Sequence, residues 1–157
     1  MKRLIAYLPF FLMVASSSLA LAQSNNNRQQ SIVVFKDNVN APLTFDERKK
    51  IEEVYGEHMY KEILNRPNRL KSIKNILRNR VEIMELNDPS SQKQCEPLSS
   101  VPVFNVFVKD LKRDSFFNKA TFNPLKYAFP FYGRHPAMYR VDGTNTYIYI
   151  KSQFSKQ

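Results

Sequence analysis

Few side chains in this sequence have the type and spacing that chemistry needs. Histidine occurs twice, at His58 and His135, and cysteine once, at Cys95. A thiolate beside an imidazole is a nucleophilic pair. Cys95, however, stands in a polar, proline-ended run, Ser90-Ser91-Gln92-Lys93-Gln94-Cys95-Glu96-Pro97, without flanking glycines. An odd cysteine closes no internal disulfide, which leaves it an inter-chain bond, a reactive thiol or an ordinary packing role. His58 sits one position before Met59, at the edge of an apolar stripe, and reads as a half-buried packing residue. For metals, Glu57-His58 and Asp46-Glu47 are the nearest groupings, and no HExxH, CxxC or Asp-rich loop occurs. Three glycines in the chain leave little material for a phosphate-cradling loop. The sequence therefore yields no catalytic residue, no metal site and no cofactor.

Binding chemistry has more to work with. Lys126, Arg140, Tyr147, Tyr149 and Lys151 bring rings and cations together in the C-terminal half. Aromatic rings on a sheet stack bases while neighbouring cations hold phosphates, but no RNA-recognition signature is present. The same rings could stack on sugars, and cross-strand packing accounts for them equally.

These residues must be placed by local structure. Thr44-Phe45-Asp46-Glu47 has the form of a capping box, in which hydroxyl and carboxylate each bond the other residue's amide. Ile51, Val54, Tyr55, Met59 and Ile63 then recur at three- and four-residue steps and predict a helix, weakened at Gly56 and ended by Asn65 and Pro67. A second helix follows, with Asn68 as its cap and Leu70, Ile73, Ile76, Leu77 and Val81 as its stripe. Lys71, Lys74, Arg78 and Arg80 fall mostly off that stripe, giving a basic outer face. Val81–Leu86 either extends this helix or starts a strand.

From Val101 the pattern turns to β. Val103–Val108 reads as a buried strand, and Leu125, Tyr127, Phe129 and Phe131 alternate, with Pro130 arguing for an edge or a bend. Met138–Val141 and Thr146–Ile150 flank Asp142-Gly143-Thr144-Asn145 as a hairpin with either a two- or a four-residue loop. Both registers put Tyr139, Val141, Ile148 and Ile150 on one face, taken as core. Met138, Arg140, Tyr147 and Tyr149 take the other, exposed face.

The opening residues set the address. Lys2 and Arg3 precede an uncharged apolar run from Leu4 to Ala15, and Ala20-Leu21-Ala22 is a small-residue cleavage signal with Gln23 after it. That order predicts a secretory signal peptide over 1–22. The run is too short for a stable transmembrane helix, which needs about 20 residues. Removing the first 22 of 157 residues leaves 135, one domain's worth. The net charge of +10 falls to +8 once Lys2 and Arg3 are gone. A basic exported protein can meet acidic glycans, lipopolysaccharide or anionic lipid, and nucleic acid is disfavoured by the address. Residues 23–42 read as a flexible segment with Ile32–Phe35 as an edge strand or docking peg.

Leu111-Lys112-Arg113-Asp114, Phe122–Tyr127, Phe131-Tyr132 and Tyr139–Asn145 together resemble small exported bacterial proteins of uncharacterised function. The resemblance covers about residues 111–151, implies one structural unit and transfers no functional residue.

The expectation is one α+β domain over 43–157, two N-terminal helices packed on a small antiparallel sheet drawn from residues 101–151. It is periplasmic or extracellular, without a transmembrane anchor in the mature chain. It acts as a non-enzymatic envelope module that contacts a partner protein or an anionic polymer. A small envelope hydrolase, built from convergent carboxylates or from His58 and His135, is the second reading.

Overall fold

The first helix begins where the capping box predicts. In the computed structural model, which describes residues 33, 35–86 and 95–154, the Glu47 amide donates to Thr44 Oγ1 at 3.2 Å. The Thr44 amide donates to Glu47 Oε2 at 2.9 Å. Helix α1 spans Phe45–Tyr55. It ends at Gly56, whose φ of +51° excludes an ordinary side chain and whose added Cβ would lie 3.1 Å from the Val108 side chain. Gly56 is thus a break rather than a weak point inside a longer helix. A 3₁₀ turn at Gly56–His58 and a π turn at Tyr60–Leu64 carry the chain onward. They keep Met59 and Ile63 buried alongside Ile51, Val54 and Tyr55. Each such apolar side chain contributes about 1.5–3 kcal/mol by leaving water.

Helix α2, Pro67–Asn75, opens with its proline at the first turn and Arg66 before it. Proline is already set at helical φ and needs no amide partner there. Asn68, expected as the cap, lies inside the helix, where its carbonyl accepts from Ser72 Oγ. A π turn, Ile76–Arg80, then leads directly into strand β1, Val81–Glu85. Of the two readings for Val81–Leu86, the strand holds.

The remaining strands are β2 (Glu96–Pro97), β3 (Ala137–Arg140) and β4 (Thr146–Ile150), in the spatial order β1-β4-β3-β2. β4 runs antiparallel to both neighbours, whereas β2 pairs parallel to β3. The molecule is α+β, but its sheet is mixed, and two of its strands precede residue 101. Val103–Val108 is not a strand. It makes one isolated bridge, Val103 to Tyr127, and Val106 is 66% exposed. Phe104 and Phe107 turn instead onto Tyr55, with ring centroids 6.2 and 4.9 Å away. Tyr127, Phe129 and Phe131 are buried in the alternating order their spacing suggests, without a ladder. The Phe129 and Phe131 amides bond the carbonyls two residues back, so the chain satisfies itself locally.

The hairpin takes the four-residue loop: Ala137 faces Ile150, Tyr139 faces Ile148, and the Val141 amide donates to the Thr146 carbonyl. Gly143, with φ of +68°, makes the turn. Tyr139, Val141, Ile148 and Ile150 join the α1 and α2 stripes in one core. The opposite face is not open, because Tyr147 is completely buried.

The basic outer face of α2 is also corrected. Lys74 and Arg80 are 8% and 2% exposed. Lys74 Nζ donates to the Ala41 carbonyl at 2.8 Å, and burial pushes its ammonium below the ordinary lysine value. Arg80 Nη2 donates to the Lys151 carbonyl at 2.8 Å. Arg78 grips Glu47 with two bonds of 2.6 Å and also donates to the carbonyls of Asn38 and Pro42. Lys71 lies 5.0 Å from the Phe35 ring centroid. Lys74 and Arg78 face inward because a strap with no ladder of its own needs donors for its carbonyls, and Arg80 does the same for the chain just after the last strand. The strap includes a 3₁₀ turn at Asp37–Asn40, with Val39 1% exposed. Within residues 35–42 Val39 alone is buried, while the carbonyls of Asn38, Ala41 and Pro42 are held by Arg78 and Lys74. Phe35 is the docking peg and not part of a strand. The predicted leader, with its Ala22–Gln23 cleavage point, lies outside the described residues. Among the described residues, no helix is long and apolar enough to cross a membrane.

Candidate binding groove

The five ring-bearing and cationic residues singled out above do not form one open patch. Arg140, Tyr147, Tyr149 and Lys151 share the second face of the sheet, and each is already engaged or half-buried there. Arg140 Nε donates to the Thr144 carbonyl at 2.7 Å, and its guanidinium lies 6.0 Å from the centre of the Tyr147 ring. Lys151 pairs with Glu82 at 2.9 Å. Tyr147 is sealed off, and its hydroxyl has no hydrogen-bond partner among the described residues.

Lys126 lies elsewhere, in the 3₁₀ turn Pro124–Lys126, and is 4% exposed. Its ammonium bridges Glu53 on α1, at 2.9 Å, and Asp114, at 2.5 Å. Burial alone would depress the lysine pKa; bonds to the two carboxylates outweigh it and hold the pKa above the ordinary value. Burial likewise pushes the Glu53 carboxyl up, and bonds from Asn123 and Lys126 bring it below the ordinary glutamate value. The turn is set by Asn123, whose Oδ1 accepts from the Leu125 amide and whose Nδ2 donates to Glu53 Oε2 and to the Lys50 carbonyl.

This triad anchors the loop over residues 109–121, which has no regular structure and is held by side chains. Arg113 donates to the Leu98 carbonyl at 2.6 Å and the Val101 carbonyl at 2.5 Å, and its guanidinium lies 5.2 Å from the Tyr127 ring centre. Phe117 packs on Phe122, centroids 5.2 Å apart. Across from Arg113, Ser99 donates to Asp142 through both Oγ, at 2.5 Å, and its amide, at 3.0 Å. Those bonds hold the Asp142 carboxyl below the ordinary aspartate value.

The loop is the common wall of three depressions. One of about 560 Å³ lies against α1 and includes Lys50, Glu53 and Asp114. The next, about 320 Å³, runs from Asp114 past Arg113 and Tyr127 to Asp142. The third, about 520 Å³, runs from Asp142 to Phe116, Lys119 and Thr146. Asp114 lines the first two; Ser115, Phe117, Val141 and Asp142 line the last two. Phe116 stands 88% exposed at the outer wall.

Of the residues that the sequence puts forward for chemistry, the groove gathers Lys126, which closes it from within, and Asp46, which lines its first depression. Ser99 carries no periodic or motif signal, Arg113 and Asp114 stand out only within the resemblance, and Asp142 reads as a turn residue rather than a groove residue. Their roles depend on contacts spanning up to 43 positions, as between Ser99 and Asp142.

The groove can bind, but it is poorly equipped to transfer protons. Glu53 and Asp142 stay ionised at neutral pH, so neither holds a proton for general acid work. Ser99 points its hydroxyl at a weakly basic carboxylate rather than at an imidazole. His58 packs 5.6 Å from the Phe107 ring, as its place on the stripe suggested, and His135 lies in the exposed stretch before β3. Among the described residues, no three His, Cys, Asp or Glu side chains are grouped to hold a metal ion. No protein-family model, curated protein or solved structure matches the chain.

Proposed function

We propose that this protein is a non-enzymatic binding module that works in the cell envelope after export and holds its partner, a protein or a surface polymer, along the 109–121 loop. One observation carries the reading. The groove's ionic groups are pre-paired within the protein, Lys126 with Glu53 and Asp114, Asp142 with Ser99, Arg113 with two carbonyls. A site held this way is rigid before its partner arrives and loses little freedom on binding. The same pairing supports binding over acid catalysis. The carboxylates that a hydrolase would need do converge, but onto a lysine. Export is supported by the order of charges, apolar run and Ala20-Leu21-Ala22 at the start of the chain.

Mild crosslinking of tagged protein in intact cells, followed by mass spectrometry, tests both parts. The expected result is a chain starting at Gln23 and a recurrent partner crosslinked through residues 109–121. A retained Met1 counts against export. Crosslinks that avoid the loop, or no recurrent partner at all, count against the binding module.

A further inference from the structure

The groove also has a chemistry that narrows its occupant. We infer that it accommodates an extended, uncharged polyhydroxyl chain, a glycan strand, laid along residues 113–121. The inference rests on the binding-module reading and adds the class of ligand.

Continuity is the first ground. Three depressions joined by shared walls suit a linear ligand better than a single compact molecule, and each is large enough for a sugar unit. Charge is the second. Four cations line the three depressions, and Lys126 beneath them brings the total to five, against five lining carboxylates. The groove is therefore electrically balanced on a chain whose net charge is +10, and it offers a polyanion no local field.

Donor geometry is the third. Each oxygen of Asp142 accepts one bond from Ser99, and a carboxylate oxygen has two acceptor sites. Arg113 spends one N–H on each of two carbonyls out of its five. Planar two-point groups with spare capacity match the adjacent hydroxyls of a sugar ring. Phe117 and Tyr127 line the middle depression, and exposed Phe116 offers a ring to the apolar face of a sugar in the next. A peptide would ask instead for a ladder of backbone groups, and the 109–121 wall has no strand to supply it.

Calorimetric titration of the purified protein with β-1,4-linked N-acetylglucosamine oligomers, from dimer to hexamer, tests this. Affinity should rise about tenfold along the series and stay constant between low and high salt, since the ligand carries no charge. Ser115→Trp, at an exposed position on the shared wall, should abolish binding. Asp142→Asn should weaken it about tenfold, with the far-ultraviolet spectrum of both variants confirming the fold. No binding across the series overturns the inference. So does salt-sensitive binding of heparin that Ser115→Trp abolishes, which would put a polyanion in the groove, or oligomer binding that Ser115→Trp leaves unchanged, which would put the glycan elsewhere. A partner captured through the loop while the oligomers fail overturns the glycan and keeps the module; failure of both overturns both.

Discussion

Two glutamates on α1 take part in ion clusters of opposite character. Glu47 meets Arg78 in a closed fork, both side chains 13% exposed, with the guanidinium's remaining donors turned to strap carbonyls. Glu53 shares Lys126 with Asp114; the lysine side chain is buried, yet those of the carboxylates are 43% and 37% exposed. The first cluster spends its hydrogen-bonding capacity on the protein. The second buries its cation and leaves its anions facing a cleft. The same pairing chemistry thus fastens the chain in one place and shapes a surface in the other, and accessibility of the anions makes the difference.

The largest expected effect comes from breaking the closed cluster. Arg78→Ala leaves Glu47 and several carbonyls without their donor and should cost about 3 kcal/mol, read from the urea midpoint. Lys126→Met should cost less, about 2 kcal/mol, because its carboxylates can turn to water. The same variant should weaken ligand binding in the groove, which Arg78→Ala should leave intact. Equal losses of binding in the two variants would erase the distinction.

Titration sharpens the contrast. The Arg78 bonds hold the Glu47 carboxyl below its ordinary value. Glu53 is also lowered, since its bonds to Asn123 and Lys126 outweigh burial. A carboxyl lowered by folding stabilises the protein above its unfolded pKa, and that contribution disappears as pH falls through the folded value. Both clusters should therefore weaken below about pH 4. Lys126 is raised, so its contribution is full below the unfolded lysine pKa and declines as pH climbs through the folded one. Only the second cluster should weaken above about pH 10.4, because arginine does not deprotonate there. Denaturation midpoints against pH should show an alkaline decline, shared with the buried tyrosines Tyr55, Tyr127 and Tyr139, that Lys126→Met lessens and Arg78→Ala leaves in place. The smallest effect is expected at Thr44→Ala, about 1 kcal/mol in thermal unfolding. The change loosens the hold on Glu47 and should reduce the loss caused by Arg78→Ala when the two are combined.

What was legible in the sequence was local. The Thr44–Glu47 box, the α1 stripe and the Asp142-Gly143 hairpin are each decided within a few residues, by capping, period and turn geometry. β1 was ambiguous because Val81–Leu86 is too short to separate strand from helix by period. Val103–Val108 has the composition of a strand without being one, because β-branched and aromatic residues also suit irregular packing, and here Phe104 and Phe107 meet Tyr55 instead of a neighbouring strand. The cations of α2 looked solvent-facing because a helical pattern does not reveal that a separate strap will lie across it. Lys126 was picked out for its charge, but its burial depends on Glu53, 73 positions earlier in the sequence, and on Asp114. The groove stayed hidden because residues 109–121 have no period.

The strap has a mechanical consequence. A pull on the chain ahead of residue 36 would be resisted where the strap is tied to the turn that follows α2. It would load the Asn38–Asn79 amide pair, with bonds of 2.7 and 2.9 Å, and the Arg78 bonds to the Asn38 and Pro42 carbonyls, before tension could reach the start of α1. The strap is thus a clamp made of side-chain bonds, which must give way before a pull at residue 36 reaches α1.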